Sequence, residues 1–179
     1  MLEPENTFLL VIDIQGNLFL SMDSREDLLR NLVRMIQGAA LFDLPIVVTE
    51  QTPEKLGPTI PEITGLFESF DPVAKSAFSC CRDAGFTKRL RSLRQKQVLI
   101  TGIESHVCVY QTAVDLLRLG YEVHVVEDAV ASRTPENRRI GIEKLVEAGA
   151  LRTSVEMALF ELMGIAEGER FRKMVRIVK

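Results

Sequence analysis

Val98-Leu-Ile-Thr-Gly-Ile-Glu-Ser-His-Val-Cys108-Val-Tyr-Gln-Thr-Ala113 reads as a short apolar strand, a turn around Gly102, and a helix that starts near the cysteine. A strand buried on both faces and followed directly by a helix is the repeating unit of a parallel sheet. A thiol in the first turn of that helix has a chemical use. The unpaired backbone N–H groups of a helix start favour a thiolate and can hold an oxyanion. This is the geometry of a cysteine nucleophile. A buried structural cysteine fits the same stretch, so the segment alone leaves both readings open.

Working outward, the same strand-then-helix pattern repeats. Thr7-Phe-Leu-Leu-Val-Ile-Asp13 is an apolar run ending in a carboxylate, and residues 25–42 follow with helical spacing at Leu28, Leu32, Met35, Ile36 and Ala39. Leu44 to Thr49 reads as a strand that opens with Pro45, where no ladder donor is lost. Residues 51–70 carry three prolines and no sustained period, which predicts a long structured loop. Further strands are predicted at 72–75, 97–101 and 122–127, with a short strand or turn from Ala150. Helices are predicted at 87–93, 107–119, 135–148 and 155–163. The alternation defines an α/β class: one doubly wound, Rossmann-like parallel sheet with helices on both faces. The whole of residues 1–179 is read as one domain with a core at about 7–165. The basic tail, 166–179, is read as a solvated arm or a subunit contact.

Composition narrows the functions. A net charge of −3 and the absence of Trp give no platform for nucleic acid. No apolar run approaches the ~18 residues of a membrane span. The acidic N-terminal residues do not resemble a secretory leader, and three cysteines, two of them adjacent, are no disulfide framework. A reducing cytoplasm is the expected location, with no nucleic-acid or membrane partner.

Ligands of an open parallel sheet bind beyond the carboxyl ends of its strands. Asp13, Lys75 and Cys108 all fall at such ends. Cys108 supplies a nucleophile, Asp13 can take its proton and pass it to a leaving group, and Lys75 can steady both charges. Singly, Asp13 reads as a strand-end cap and Lys75 as a solvated charge; the three together point to catalysis.

These three stretches (Val-Ile-Asp13-Ile-Gln, Val-Ala-Lys75-Ser-Ala-Phe and Thr-Gly-Ile-Glu-Ser-His-Val-Cys108-Val-Tyr-Gln-Thr-Ala) resemble, in order and spacing, those of the isochorismatase-like cysteine hydrolases. Thr49-Glu-Gln with Leu56-Gly-Pro resembles the YcaC-like branch. The resemblance covers roughly residues 7–165. It implies an Asp13–Lys75–Cys108 triad, and a cis bond between Ile103 and Glu104. It also implies an oxyanion hole from the N–H groups of Glu104 and Cys108. The implied reaction is hydrolysis of a small amide or related C–N bond through a thioester, without cofactor. Family members that cleave the vinyl ether of isochorismate lack this cysteine, so Cys108 speaks against that activity. An idle binding or scaffold protein on the same fold is the alternative of a different class.

The nicotinamidase branch places an Asp and two His after the second strand. This chain has Thr49-Glu-Gln-Thr-Pro there and only two histidines in all, so no metal site of that type is expected. Gln15, Phe19, Phe78, His106 and Tyr110 flank the triad stretches as candidate pocket residues, with core packing the equal alternative. His124, Cys80 and Cys81 are read as structural, and Asp128 and Arg133 as solvated. Assembly into a homo-oligomer is expected, with Leu159, Phe160, Leu162, Phe171, Met174 and Val175 as the surface to bury.

Overall fold

The computed structural model describes residues 1–179. Six strands form one parallel sheet: β1 (Thr7–Ile12), β2 (Ile46–Gln51), β3 (Val73–Lys75), β4 (Gln97–Ile103), β5 (Glu122–Ala131) and β6 (Leu151–Thr153). Their spatial order is β3-β2-β1-β4-β5-β6. Strand order therefore reverses between β1 and β4, which pair from Thr7↔Gln97 to Ile12↔Gly102. A reversal of this kind leaves a crevice at the carboxyl ends of the two strands. Asp13 and the Cys108 turn follow directly from those two ends.

The nine helices are α1 (Gly16–Leu20), α2 (Arg25–Leu41), α3 (Pro53–Leu56), α4 (Pro61–Thr64), α5 (Ala84–Ser92), α6 (Tyr110–Arg118), α7 (Pro135–Glu147), α8 (Val155–Met163) and α9 (Gly168–Val178). Alternate residues along β1 serve opposite faces, as pleating demands. Leu9 and Val11 join a core with Leu32, Met35, Leu159 and Met174, whereas Phe8, Leu10 and Ile12 join one with Phe86, Val109, Leu116 and Leu145. Helices α2, α8 and α9 cover the first face, and α5, α6 and α7 the second. The class and the doubly wound layout follow from the continuous apolar strands, which need cover on both sides.

Several predicted features are corrected. Residues 166–179 are not a solvated arm: α9 lies across α2, with Met174 fully buried and Phe171, Val175 and Val178 packed on the same core. The spacing of these four is helical, and it outweighs the charge of the segment. Leu159, Leu162 and Met174 are therefore inside the subunit, while Phe160 is 42% exposed. Residues 51–70 contain two one-turn helices, each with proline in its first turn. Strand β5 runs four residues past Glu127 to Ala131, its register with β4 shifting between Ile100 and Gly102. Gly102 has φ +111, and a Cβ there would lie 2.2 Å from the Ile12 carbonyl oxygen. Only glycine allows β4 to approach β1 this closely at the crevice.

Candidate active site

Asp13 follows the last residue of β1, and its φ of 56° is left-handed, a conformation that Asp tolerates better than most residues. The turn points its carboxylate into the sheet edge, where the side chain is fully buried. The carboxylate accepts two hydrogen bonds there. Thr49 Oγ1 donates to Oδ1 at 2.8 Å, and Lys75 Nζ donates to Oδ2 at 2.7 Å. Lys75 belongs to β3, two strands away, and its long stem spans β2 to reach Asp13. Its side chain is also fully buried. Burial works against the ammonium charge, but the Asp13 carboxylate overcomes it and holds the lysine above its ordinary range.

Cys108 sits in a π-helical turn, Ser105–Val109, between β4 and α6. The sequence predicts an ordinary helix start here; the wider turn is the difference. Such turns insert one residue into a helix and recur at functional positions. The turn is braced from behind by α7. A Cβ on Gly141 would lie 2.8 Å from both the His106 nitrogen and the Ser105 carbonyl carbon. Ser105 Oγ donates to the Ala131 carbonyl at 2.8 Å. The peptide bond between Ile103 and Glu104 is cis. The Glu104 N–H donates to no backbone acceptor. The Glu104 carboxylate points elsewhere, accepting the Arg133 N–H at 3.0 Å and Arg133 Nε at 3.1 Å. Arg133 is thus engaged with the turn rather than freely solvated.

The electrostatics of Cys108 differ from the sequence expectation of a depressed thiol. Burial and the neighbouring Asp13 carboxylate push it up, and Lys75 only partly opposes them. The lysine is already neutralised by Asp13, so the field at the sulfur is close to that of an ion pair, not a free cation. Cys108 therefore rests as a thiol beside a carboxylate. That arrangement can transfer a proton to Asp13 as the sulfur attacks, so no standing thiolate is required.

The sequence reading missed three neighbours. Cys80, read as structural, is fully buried with its Sγ 3.9 Å from Thr49 Oγ1. Thr49 orients Asp13, and Gln51 accepts a second hydrogen bond from Lys75 Nζ at 2.7 Å. Thr49 and Gln51 stand at the end of β2 in the Thr49-Glu-Gln stretch, and Cys80 has no local sequence signal. Of the pocket candidates, Gln15 is buried and clamps Gln51, donating to the Gln51 carbonyl at 3.1 Å and accepting the Gln51 N–H at 2.6 Å. Phe19 packs in the core with Leu28 and Met22, and Phe78 is 55% exposed. His106 Nδ1 bonds Ser132 Oγ at 3.0 Å, and with Tyr110 it lines a separate surface cavity of about 400 Å³. His124 is buried against Glu122 at 2.7 Å, on the strand end away from the crevice. Asp128 accepts the Val155 N–H at the start of α8. No group of three or more His, Cys, Asp or Glu is arranged to hold a metal ion. No helix is long and apolar enough to cross a membrane.

Burial sets a pH response. Burial pushes the Cys80 thiol from 9.0 up to about 11 and raises Cys108 as well, while Asp13 raises Lys75 against the effect of burial. All three hold their protons more tightly folded than unfolded. Their contribution is complete below about pH 9 and is lost as pH rises through the raised values. Cys80 alone accounts for about 3 kcal/mol between pH 9 and 11. Urea midpoints under reducing conditions are expected to fall steadily from pH 8.5 to 10.5. A flat profile contradicts the burial of the two thiols and the pairing of Lys75 with Asp13.

The chain belongs to the isochorismatase domain family, whose match spans residues 7–157. A mouse relative, isochorismatase domain-containing protein 2A, is 35% identical over 98% of this chain and 84% of its own length. Among solved structures, that of MAR1 ribonuclease from Caenorhabditis elegans superposes with a TM-score of 0.92 at 32% identity, covering 99% of this chain and 91% of that one. YcaC from Pseudomonas aeruginosa shares the fold, with a TM-score of 0.92 at 24% identity over 98% of this chain and 90% of that one. The family is one of hydrolases, and open parallel sheets bind ligands in the crevice at such a reversal.

Proposed function

We propose that this protein is a cysteine hydrolase of small amides or related C–N bonds, with Asp13, Lys75 and Cys108 as its catalytic triad. The observation that carries the reading is the buried Asp13–Lys75 ion pair beside the Cys108 thiol, at the one point where strand order reverses. Buried ion pairs contribute little net stability, so their retention suits a chemical role.

The steps follow from the protonation states. The Cys108 sulfur attacks the carbonyl carbon while its proton passes to the Asp13 carboxylate. The carbonyl electrons move onto oxygen, which the N–H groups of Glu104 and Cys108 hold. The Glu104 N–H, which donates to no backbone acceptor, supports this role. Collapse of the tetrahedral species expels the amine, which takes the proton from Asp13 and leaves a thioester. Water then attacks the thioester and gives a proton to Asp13. The sulfur leaves, regains that proton, and releases the acid. Lys75 keeps Asp13 paired and oriented between steps.

Asp13 is 0%, Lys75 3% and Cys108 7% exposed, which favours a small substrate. A screen of small primary and secondary amides is expected to find turnover that Cys108→Ala and Asp13→Asn abolish. RNA belongs in the same screen, because the C. elegans neighbour is named a ribonuclease. RNA cleavage that survives Cys108→Ala contradicts the amide reading. A catalytically idle binding role predicts no turnover of any amide in the screen.

The reading includes a reducing, cytoplasmic setting, supported by three free cysteines. It also includes self-association, supported by the exposed apolar residues Met157, Phe160 and Ile165 around the end of α8. Of the residues expected at this surface, Phe160 stays exposed, while Leu159, Leu162 and Met174 are buried within the subunit. Sedimentation equilibrium is expected to give a multiple of the 20.1 kDa chain mass; a monomer contradicts it.

A further inference from the structure

We infer that Gln51 is a positioning residue, which fixes the Lys75 ammonium through its side-chain carbonyl and so sets the charge balance around Cys108. The inference rests on the triad reading and adds a residue to it.

Gln51 ends β2 and pairs in register with Lys75 on β3. Its carboxamide orientation is dictated by its partners. Nε2 donates to the Ser76 carbonyl at 2.8 Å, and Oε1 accepts from Lys75 Nζ at 2.7 Å. A carbonyl can only accept and an ammonium can only donate, so the reverse orientation is excluded by chemistry. The backbone of Gln51 is clamped in turn by Gln15, whose Nε2 also donates to the Gly57 carbonyl at 2.6 Å. The long loop after β2 is thereby tied to the lysine.

An ammonium has three protons. Here they meet Asp13 Oδ2, Gln51 Oε1 and, at 3.4 Å, the Ala77 carbonyl. The lysine is thus saturated within the chain and acts on the chemistry through Asp13. A neutral partner at residue 51 matters for charge. With Gln51 the pair Asp13–Lys75 sums to zero. A glutamate would leave a net negative cluster and oppose thiolate formation at Cys108.

Two measurements test this, one of them independent of hydrolysis. In wild-type protein labelled with 15N-lysine, Lys75 is expected to give a slowly exchanging ammonium signal, identified by its loss in Lys75→Met. In Gln51→Met, of similar size but without the acceptor, that exchange is expected to quicken about tenfold or more. Exchange unchanged within twofold overturns the inference. In Gln51→Glu, the rate of Cys108 alkylation by iodoacetamide at pH 8, read by peptide mass spectrometry, is expected to fall about tenfold, one pKa unit. An unchanged rate in a folded Gln51→Glu protein also overturns it. A purely structural role for Gln51 lowers the melting temperature but moves neither quantity. If Cys108→Ala leaves amide turnover unchanged, the triad reading fails, and the ammonium exchange still decides the role of Gln51.

Discussion

Replacing Cys108 with alanine is expected to cut hydrolysis of the best amide in the screen by at least about 10⁴-fold while leaving the protein folded. A covalent route has no substitute for its nucleophile, and removal of one such residue can cost as much as removal of its whole catalytic unit. The thiol makes few structural commitments. It is a small side chain in a turn braced by Gly141 on α7 and by the bond from Ser105 to Ala131. The melting temperature is therefore expected to move by only a few degrees. Cys80→Ala is the informative comparison, since Cys80 is fully buried beside the same ion pair, with its sulfur 3.9 Å from Thr49 Oγ1, but lies outside the turn after β4. It is expected to cost stability and leave most activity. Equal activity losses in the two variants would sink the assignment of Cys108.

The second large effect concerns the ion pair. Lys75→Met leaves Asp13 without its charge partner in a site with no exposure, and is expected to cost about 3–5 kcal/mol. Against a total domain stability of about 5–15 kcal/mol, that loss is large. Asp13→Asn strands the ammonium instead, although Gln51 and Ala77 still accept from it, so its cost is expected to be smaller. The double variant Asp13→Asn, Lys75→Met removes both charges and is expected to recover at least about 2 kcal/mol relative to the sum of the singles. It stays inactive, because the proton acceptor is gone. Urea unfolding of the four proteins reads the cycle. Additive losses would show that the pair is not coupled.

The strand ends were the legible part of this chain. Val-Ile-Asp13 and Val-Ala-Lys75 each break an apolar run with one charged residue, and a parallel sheet brings such breaks to one edge. The stretch from Val98 to Ala113 likewise shows its strand and its helix in order, but the turn expected around Gly102 comes later, because β4 runs through Gly102 to Ile103. What local pattern could not show was pairing across strands. Gln51 meets Lys75 because β2 and β3 pair at that register, and Thr49 and Cys80 converge on Asp13 only in three dimensions. The end of β5 was hidden because Glu127 and Asp128 interrupt its apolar pattern. The α9 helix was hidden because charge masks the spacing of Phe171, Met174 and Val175. The raised Cys108 thiol depends on burial and on how fully Asp13 neutralises Lys75, and neither is written in local sequence.

The central claim is that Cys108 forms a bond to the substrate acyl group with Asp13 taking its proton. Rapid acid quenching during turnover of the best amide, followed by peptide mass spectrometry, tests it most directly. The account predicts an acyl mass on the Cys108 peptide, at a level that falls below detection in Asp13→Asn. Turnover with no acyl mass on Cys108, or with the mass on Cys80 or Cys81 instead, would contradict it.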